Sequence, residues 1–100
     1  MKYEKTEILN YLSSNKEYYR TNFNVVKIGI FGSYSRDAQT DNSDIDIIFE
    51  FGEKTTNIFD KIYELRKQLS EHFKTNVEIC RERAIKTIFK EGILSEAIFV

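Results

Sequence analysis

Apolar positions recur at helical spacing in three stretches of the chain. The first stretch lies within residues 4 to 20. The second is predicted to begin after Asn57, a residue type that often caps helices, and to end near Phe73. The third begins near Glu82 and is expected to be interrupted or capped by Gly92. The stripes of the first two helices are formed by Ile8, Leu12 and Tyr19, and by Ile58, Ile62, Leu65, Leu69 and Phe73.

Three other segments have the patterns of β-strands. Residues 25–31 form a short β-branched run, and residues 43–51 alternate apolar and polar positions. Residues 75–81 repeat the alternation, so that Val77 and Ile79 share one face of a third strand. The apolar face of residues 43–51 consists of Ile45, Ile47, Phe49 and Phe51.

The connections between these elements predict an α/β (α+β) domain of order αβ(loop)βαβα. The polar segment 32–42 suits antiparallel neighbours, whereas the helical crossover between the second and third strands suits a parallel pair. We therefore expect an open mixed sheet with helices on one face. The other face would carry the carboxylates Asp44, Asp46 and Glu78.

Composition narrows the class of protein. The 100 residues are 41% hydrophobic, enough for one domain spanning 1–100, and 15 basic against 16 acidic residues give a net charge of −1. Near-neutral charge gives no reason to expect direct nucleic-acid binding, and we expect no membrane association because no long apolar run is present. The single Cys80 favours a reducing compartment, so a cytoplasmic location is predicted.

Asp44 and Asp46 are the first candidates for chemistry. Two residues apart on a strand, their side chains leave one face about 6.5–7 Å apart. Two carboxylates this close repel each other unless a cation or proton lies between them, and aspartate is a poor strand former. Such oxygen ligands suit Mg²⁺ or Mn²⁺. The alternative is that Asp44 caps a turn with Ser43 while Asp46 faces solvent.

A candidate phosphate site precedes this pair. Gly32 allows the backbone to approach a ligand closely, and the Ser33 hydroxyl with the amides of a following helical turn would bind an anion. Arg36 would either contact phosphate or fix the loop by pairing with Asp37 or Asp41. Because this segment ends the first strand, we expect it to meet the aspartate pair at one edge of the sheet.

Together these residues resemble a known signature. Gly32-Ser33 followed by Arg36, and then Ser43-Asp44-Ile45-Asp46, is similar to the Gly-Ser-x-x-Arg … Ser-Asp-x-Asp motif of the DNA polymerase β-like nucleotidyltransferase superfamily. The small size and element order resemble its minimal nucleotidyltransferases, which are often paired with a HEPN-domain toxin.

The resemblance implies a function and roles for these residues. Gly32, Ser33 and Arg36 would bind a nucleoside triphosphate, and Asp44, Asp46 and Glu78 would be the catalytic carboxylates that bind two Mg²⁺ ions, with Mn²⁺ possible. The implied reaction transfers a nucleoside monophosphate onto a hydroxyl of a protein partner. AMP from ATP is the expected group, and a tyrosine of a HEPN toxin is the expected acceptor. The chain would then be the antitoxin.

Two positions depart from the family pattern: Asp37 stands where glycine is usual, and Glu78 where aspartate is usual. A second hypothesis is therefore a catalytically weak or inert antitoxin that neutralises its partner by binding alone. A third, an enzyme acting on a small aminoglycoside-type compound, is disfavoured because such enzymes generally add a second domain. Residues 97–100 would form a last core strand, a helical turn or a docking surface.

Overall fold

A computed structural model describes residues 3–100 of the chain. None of the helices in this range is long and apolar enough to cross a bilayer. In chain order the elements are α1 (Lys5–Ser14), α2 (Lys16–Phe23), β1 (Val25–Phe31), β2 (Ile45–Phe51), α3 (Ile58–Phe73), β3 (Val77–Arg81), a 3-10 turn (Glu82–Ala84), α4 (Thr87–Glu96) and β4 (Ile98–Phe99).

The strands form one mixed sheet in the order β3-β2-β1-β4. β1 and β2 are antiparallel and β2 and β3 are parallel, which confirms both predicted pairings and the α/β fold class. At the C-terminus, β4 pairs antiparallel with β1, so Ile98 lies opposite Ile30. Of the three possibilities for residues 97–100, the structure shows a strand at the edge of the sheet.

The main core lies between the sheet and the first three helices. Side chains from β2 and from α1, α2 and α3 form one apolar cluster that includes Ile8, Leu12, Ile45, Phe49 and Leu69. The opposite face of the sheet is only partly polar. Ile48, which lies on the same face of β2 as Asp44 and Asp46, has an exposed fraction of 0%. The polar groups of that face are therefore confined to the ends of the strands.

The predicted first helix is divided in two by Asn15. This residue has φ −107° and ψ 8°, and its Nδ2 donates to the carbonyl of Tyr11 at 2.8 Å. Asparagine competes in this way with the helical hydrogen-bond pattern, and α2 starts as a separate helix at Lys16. The apolar stripe predicted a buried Tyr19 correctly, but the helix continues beyond residue 20 because Phe23 is also buried.

The ends of several other elements differ in detail from the prediction. Helix α3 begins after Asn57 as expected, but Asn57 adopts φ 53° and makes no side-chain cap. Strands β2 and β3 begin two residues later than predicted. Gly92 neither interrupts nor caps the last helix, because α4 runs through it to Glu96. A glycine weakens a helix by only about 1 kcal/mol, which the neighbouring half-buried side chains offset.

Candidate functional site

The chain makes a single helical turn directly after β1. Gly32 leaves the strand with φ 76°, and the amides of Ser35 and Arg36 donate to its carbonyl at 3.1 and 3.3 Å. The Ser35 hydroxyl donates to the same oxygen at 2.8 Å. Asp37, with φ 56°, ends the turn. Aspartate tolerates this left-handed conformation better than most residues, so the turn keeps its shape with Asp37 in place of glycine.

Contacts to the core and to α1 fix the position of this turn. Tyr34 is 3% exposed and belongs to the apolar core, and Lys5 Nζ lies 3.0 Å from Asp37 Oδ2. Within residues 3–100, the hydroxyl of Ser33 and the amides of Ser33 and Tyr34 have no protein partner. The start of the turn therefore presents hydrogen-bond donors, which is the arrangement that binds anions.

Asp46 lies on β2 directly beside this turn. Its Cα is paired with Phe31 on one side and with Glu78 on the other. A Cβ atom on Gly32 would overlap Asp46 Oδ2 and lie 3.1 Å from its Cγ. Glycine is therefore required at position 32 both by its positive φ and by the Asp46 carboxylate. The structure thus brings the Gly32-Ser33 turn and the aspartate pair together.

Like charges surround the half-buried Asp46. Burial raises its pKa above the ordinary value, and the negative charges of Asp44, Glu78 and Glu96 add to this effect. Only the Arg36 guanidinium acts in the opposite direction. Such a cluster disfavours its own ionised form and would be relieved by a bound cation.

Asp44, two residues before Asp46, and Glu78, opposite it on β3, are both more exposed than Asp46. The turn before β2 is closed by Ser43, whose Oγ accepts the Thr40 amide at 2.8 Å, and not by Asp44.

Two neighbouring side chains engage the Glu78 carboxylate. Its Oε1 accepts Asn76 Nδ2 at 3.1 Å and lies 4.0 Å from a terminal guanidinium nitrogen of Arg66. Among residues 3–100, no three carboxylate, histidine or cysteine side chains converge as a ready-made metal cluster.

Arg36 is paired with a residue that the sequence analysis did not single out. Its Nη1 donates to Glu96 Oε2 at 2.7 Å, and Glu96 Oε1 accepts the Gly32 amide at 3.0 Å. The predicted partners, Asp37 and Asp41, do not take this role. No local pattern in the sequence pointed to Glu96, because the contact depends on how the C-terminal segment pairs with β1.

The fold is that of the minimal nucleotidyltransferases. The family model "Polymerase beta, Nucleotidyltransferase" matches residues 13–100, and the chain belongs to this family. A candidate protein adenylyltransferase of Methanocaldococcus jannaschii is 38% identical over 96 residues, which cover 95% of this chain and 96% of that protein. The protein adenylyltransferase MntA of Thermococcus cleftensis is 31% identical, with coverage of 94% and 93%.

Solved structures share the fold. A candidate minimal nucleotidyltransferase aligns with a TM-score of 0.78 at 23% identity, over 96% of this chain and 95% of the other. A toxin–antitoxin structure with AMP-PNP gives 0.67 at 25% identity, over 97% and 72%. A complex of a tri-AMPylated Shewanella oneidensis HEPN toxin with its MNT antitoxin gives 0.58 at 22% identity, over 95% and 66%.

Proposed function

We propose that this chain transfers AMP from ATP onto a tyrosine hydroxyl of a HEPN-domain toxin and thereby acts as its antitoxin. The observation that carries this proposal is the contact between the Gly32-Ser33 turn and Asp46, which joins an anion site to an acidic pair. An anion site beside clustered carboxylates is the combination that a nucleoside triphosphate with its counter-ions requires.

The turn after β1 would hold the triphosphate. The Ser33 hydroxyl and the amides of Ser33 and Tyr34 are available as donors, and the Tyr34 side chain anchors them in the core. Arg36, whose side chain is 53% exposed, has further N–H groups to direct at a phosphate oxygen. Binding at these groups would set the α-phosphorus toward the β2 carboxylates.

Asp44, Asp46 and Glu78 would hold Mg²⁺, as two ions, with Mn²⁺ as an alternative. The residues fit this role because they are oxygen donors on one face of the sheet and because the crowding around Asp46 disfavours its free charge. When bound, Mg²⁺ would lower the pKa of the acceptor hydroxyl and neutralise charge on the phosphates. Glu78 would reach the pair by leaving Asn76 and the exposed Arg66, which hold it weakly.

In the proposed reaction the tyrosine oxygen forms a bond to the α-phosphorus of ATP, and the bond from that phosphorus to the β-bridging oxygen breaks. Pyrophosphate leaves, and we assign Glu78 to accept the hydroxyl proton. The choice of AMP and of a HEPN toxin is supported by the two named relatives, a candidate protein adenylyltransferase and the protein adenylyltransferase MntA, and by the solved complex with an AMPylated HEPN toxin.

The test is transfer of labelled AMP. The purified chain is incubated with Mg²⁺, ATP labelled at the α-phosphate and the HEPN protein encoded beside it, and the modified residue is located by mass spectrometry. Transfer is expected in the wild type and should be lost in Asp44→Asn and Asp46→Asn. Asp60→Asn, an exposed aspartate on α3, is the matched control and should retain it. Transfer that persists in Asp46→Asn would refute the proposed role of the pair.

The orientation of Glu78 favours a second candidate, an antitoxin that neutralises its partner by contact alone. Suppression of toxicity in cells distinguishes the two. If Asp44→Asn/Asp46→Asn still protects cells as well as the wild type does, binding suffices and catalysis is not the basis of protection. Loss of protection by this variant, with complex formation intact by pull-down, supports catalysis.

A further inference from the structure

Glu96 connects the C-terminal part of the chain to the proposed phosphate site. One carboxylate oxygen accepts the Gly32 amide at 3.0 Å and the other accepts Arg36 Nη1 at 2.7 Å. The side chain of Glu96 is 24% exposed, so this contact is better shielded than an ordinary surface ion pair. A single carboxylate thus fixes both the end of β1 and the guanidinium four residues later.

The pairing of β4 with β1 explains why the carboxylate lies there. Gly29 is opposite Phe99 and Ile30 is opposite Ile98, so continuing this register brings Gly32 opposite Glu96. Glu96 is still the last residue of α4, and its backbone does not extend the strand pairing. The Glu96 side chain therefore accepts the Gly32 N–H group, which a backbone carbonyl at position 96 would accept if β4 extended that far.

The same contact determines which carboxylate Arg36 meets. Arg36 lies close enough to Asp46 for its charge to lower the pKa of that group, against the effect of Glu96. Without Glu96, Arg36 would lose the carboxylate that holds it and would be free to turn toward Asp46, which its charge already affects. A guanidinium bound to Asp46 would occupy the position that a divalent cation needs beside the aspartate pair.

We propose that Glu96 is a positioning residue that holds Arg36 at the Gly32-Ser33 turn and away from Asp44 and Asp46. Arg36 then meets the triphosphate, and the acidic pair stays free for Mg²⁺. This inference rests on the proposed function in so far as the ligand is a nucleoside triphosphate. Glu96 acts only through Arg36 and the turn.

The test is a double-mutant cycle on nucleotide binding, which does not depend on transfer. Affinity for a non-hydrolysable ATP analogue is measured by calorimetry over a range of Mg²⁺ concentrations. Glu96→Gln keeps an acceptor for the Gly32 amide but loses the charge that holds Arg36. We expect binding to weaken about threefold to fivefold, with a higher half-saturating Mg²⁺ concentration. Glu91→Gln, an exposed residue of the same helix, is the matched control and should change neither value.

Arg36→Ala provides the other side of the cycle. If Glu96 acts through Arg36, Glu96→Gln will add no further loss in the Arg36→Ala background, and the higher Mg²⁺ requirement will disappear there. A purely structural role predicts an additive loss in both backgrounds and an unchanged Mg²⁺ requirement, and this result would overturn the inference. Glu96→Asp, which keeps the charge but shortens the side chain, should give a smaller shift in the same direction.

The outcomes separate this inference from the proposed function. A non-additive cycle in a chain that transfers no AMP would support the role of Glu96 and refute adenylyl transfer. An additive cycle in a chain that does transfer AMP would refute the role of Glu96 alone. Failure of the wild type to bind the analogue at any Mg²⁺ concentration would overturn both.

Discussion

Two glycine-to-alanine substitutions are expected to change stability in opposite directions. Gly32 has φ 76°, and a Cβ there would overlap Asp46 Oδ2. In α4, by contrast, a Cβ on Gly92 would meet nothing within 4 Å, and the backbone is helical. The same chemical change therefore tests the close approach of the turn to the aspartate, with a built-in control.

For Gly32→Ala, the left-handed conformation costs about 1–2 kcal/mol with a Cβ. Displacing the Asp46 carboxylate adds about 1–3 kcal/mol, as when a packed site is overfilled. We expect the free energy of unfolding to fall by about 2–5 kcal/mol, and ATP binding to weaken because Asp46 has moved. Gly92→Ala should instead raise the free energy of unfolding by about 0.5–1 kcal/mol, because alanine loses less backbone entropy than glycine when a helix forms.

Both free energies can be measured by urea denaturation followed by circular dichroism. The slope of the unfolding free energy against urea concentration should be the same in the wild type and in both variants. If Gly32→Ala is as stable as the wild type and binds ATP equally well, the turn does not lie against Asp46 as described. If Gly92→Ala is also destabilising, the loss at Gly32 cannot be attributed to its local geometry.

Three further outcomes follow from contacts elsewhere on the sheet. A Cβ on Gly29 would lie 2.7 Å from the Cα of Phe99, so Gly29→Ala should displace β4 and speed amide exchange at the C-terminus; unchanged exchange would contradict the β1–β4 contact. Burial alone would raise the pKa of Glu50, but Arg81 and two backbone amides lower it below its ordinary value. Its stabilising contribution is therefore present above pH 4.5 and is lost as the pH falls through the folded-state pKa. Glu50→Gln should cost about 1–3 kcal/mol at pH 7 and flatten the acid limb of the stability profile, whereas an unchanged acid limb would be evidence against this pairing. Burial and neighbouring carboxylates raise the pKa of Asp46, so its contribution is lost as the pH rises through the folded-state value. Asp46→Asn should therefore raise the free energy of unfolding by up to about 1 kcal/mol at pH 7 without Mg²⁺, seen as a higher Tm, and should lose AMP transfer. A lower Tm would contradict the repulsion between these carboxylates.

Local patterns predicted most of the fold. Alternation along β2 identified its buried face, and the crossover through α3 required β3 to be parallel to it. The break at Asn15 escaped prediction because it depends on one side chain bonding to the Tyr11 carbonyl within an otherwise continuous stripe. The pairing of β4 was left open because two residues are too short a segment to show a period.

Only the parts of the candidate site formed by residues close together in the sequence could be predicted. The motif placed Gly32 and Asp46 at one edge of the sheet, and the structure brings them into contact. Alternation put Glu78 on the correct face but could not fix its rotamer, which is turned toward Asn76. The contact of Glu96 with Gly32 spans 64 positions and depends on the register of β4, so no local pattern reveals it.

The charge distribution around Asp46 supports the proposal that this site binds a ligand, because the cluster does not favour stability. Three other carboxylates act on Asp46, and the one cation acting on it, Arg36, is already bonded to Glu96. Replacing one of these acids by a neutral residue should make the free protein more stable, as the expected effect of Asp46→Asn illustrates. The acids repel one another in the free protein, and a cation-bearing nucleotide would convert that repulsion into attraction. Mg²⁺ together with an ATP analogue should therefore raise the Tm of the wild type by more than that of Asp46→Asn. An equal rise in both would show that the nucleotide does not use this carboxylate.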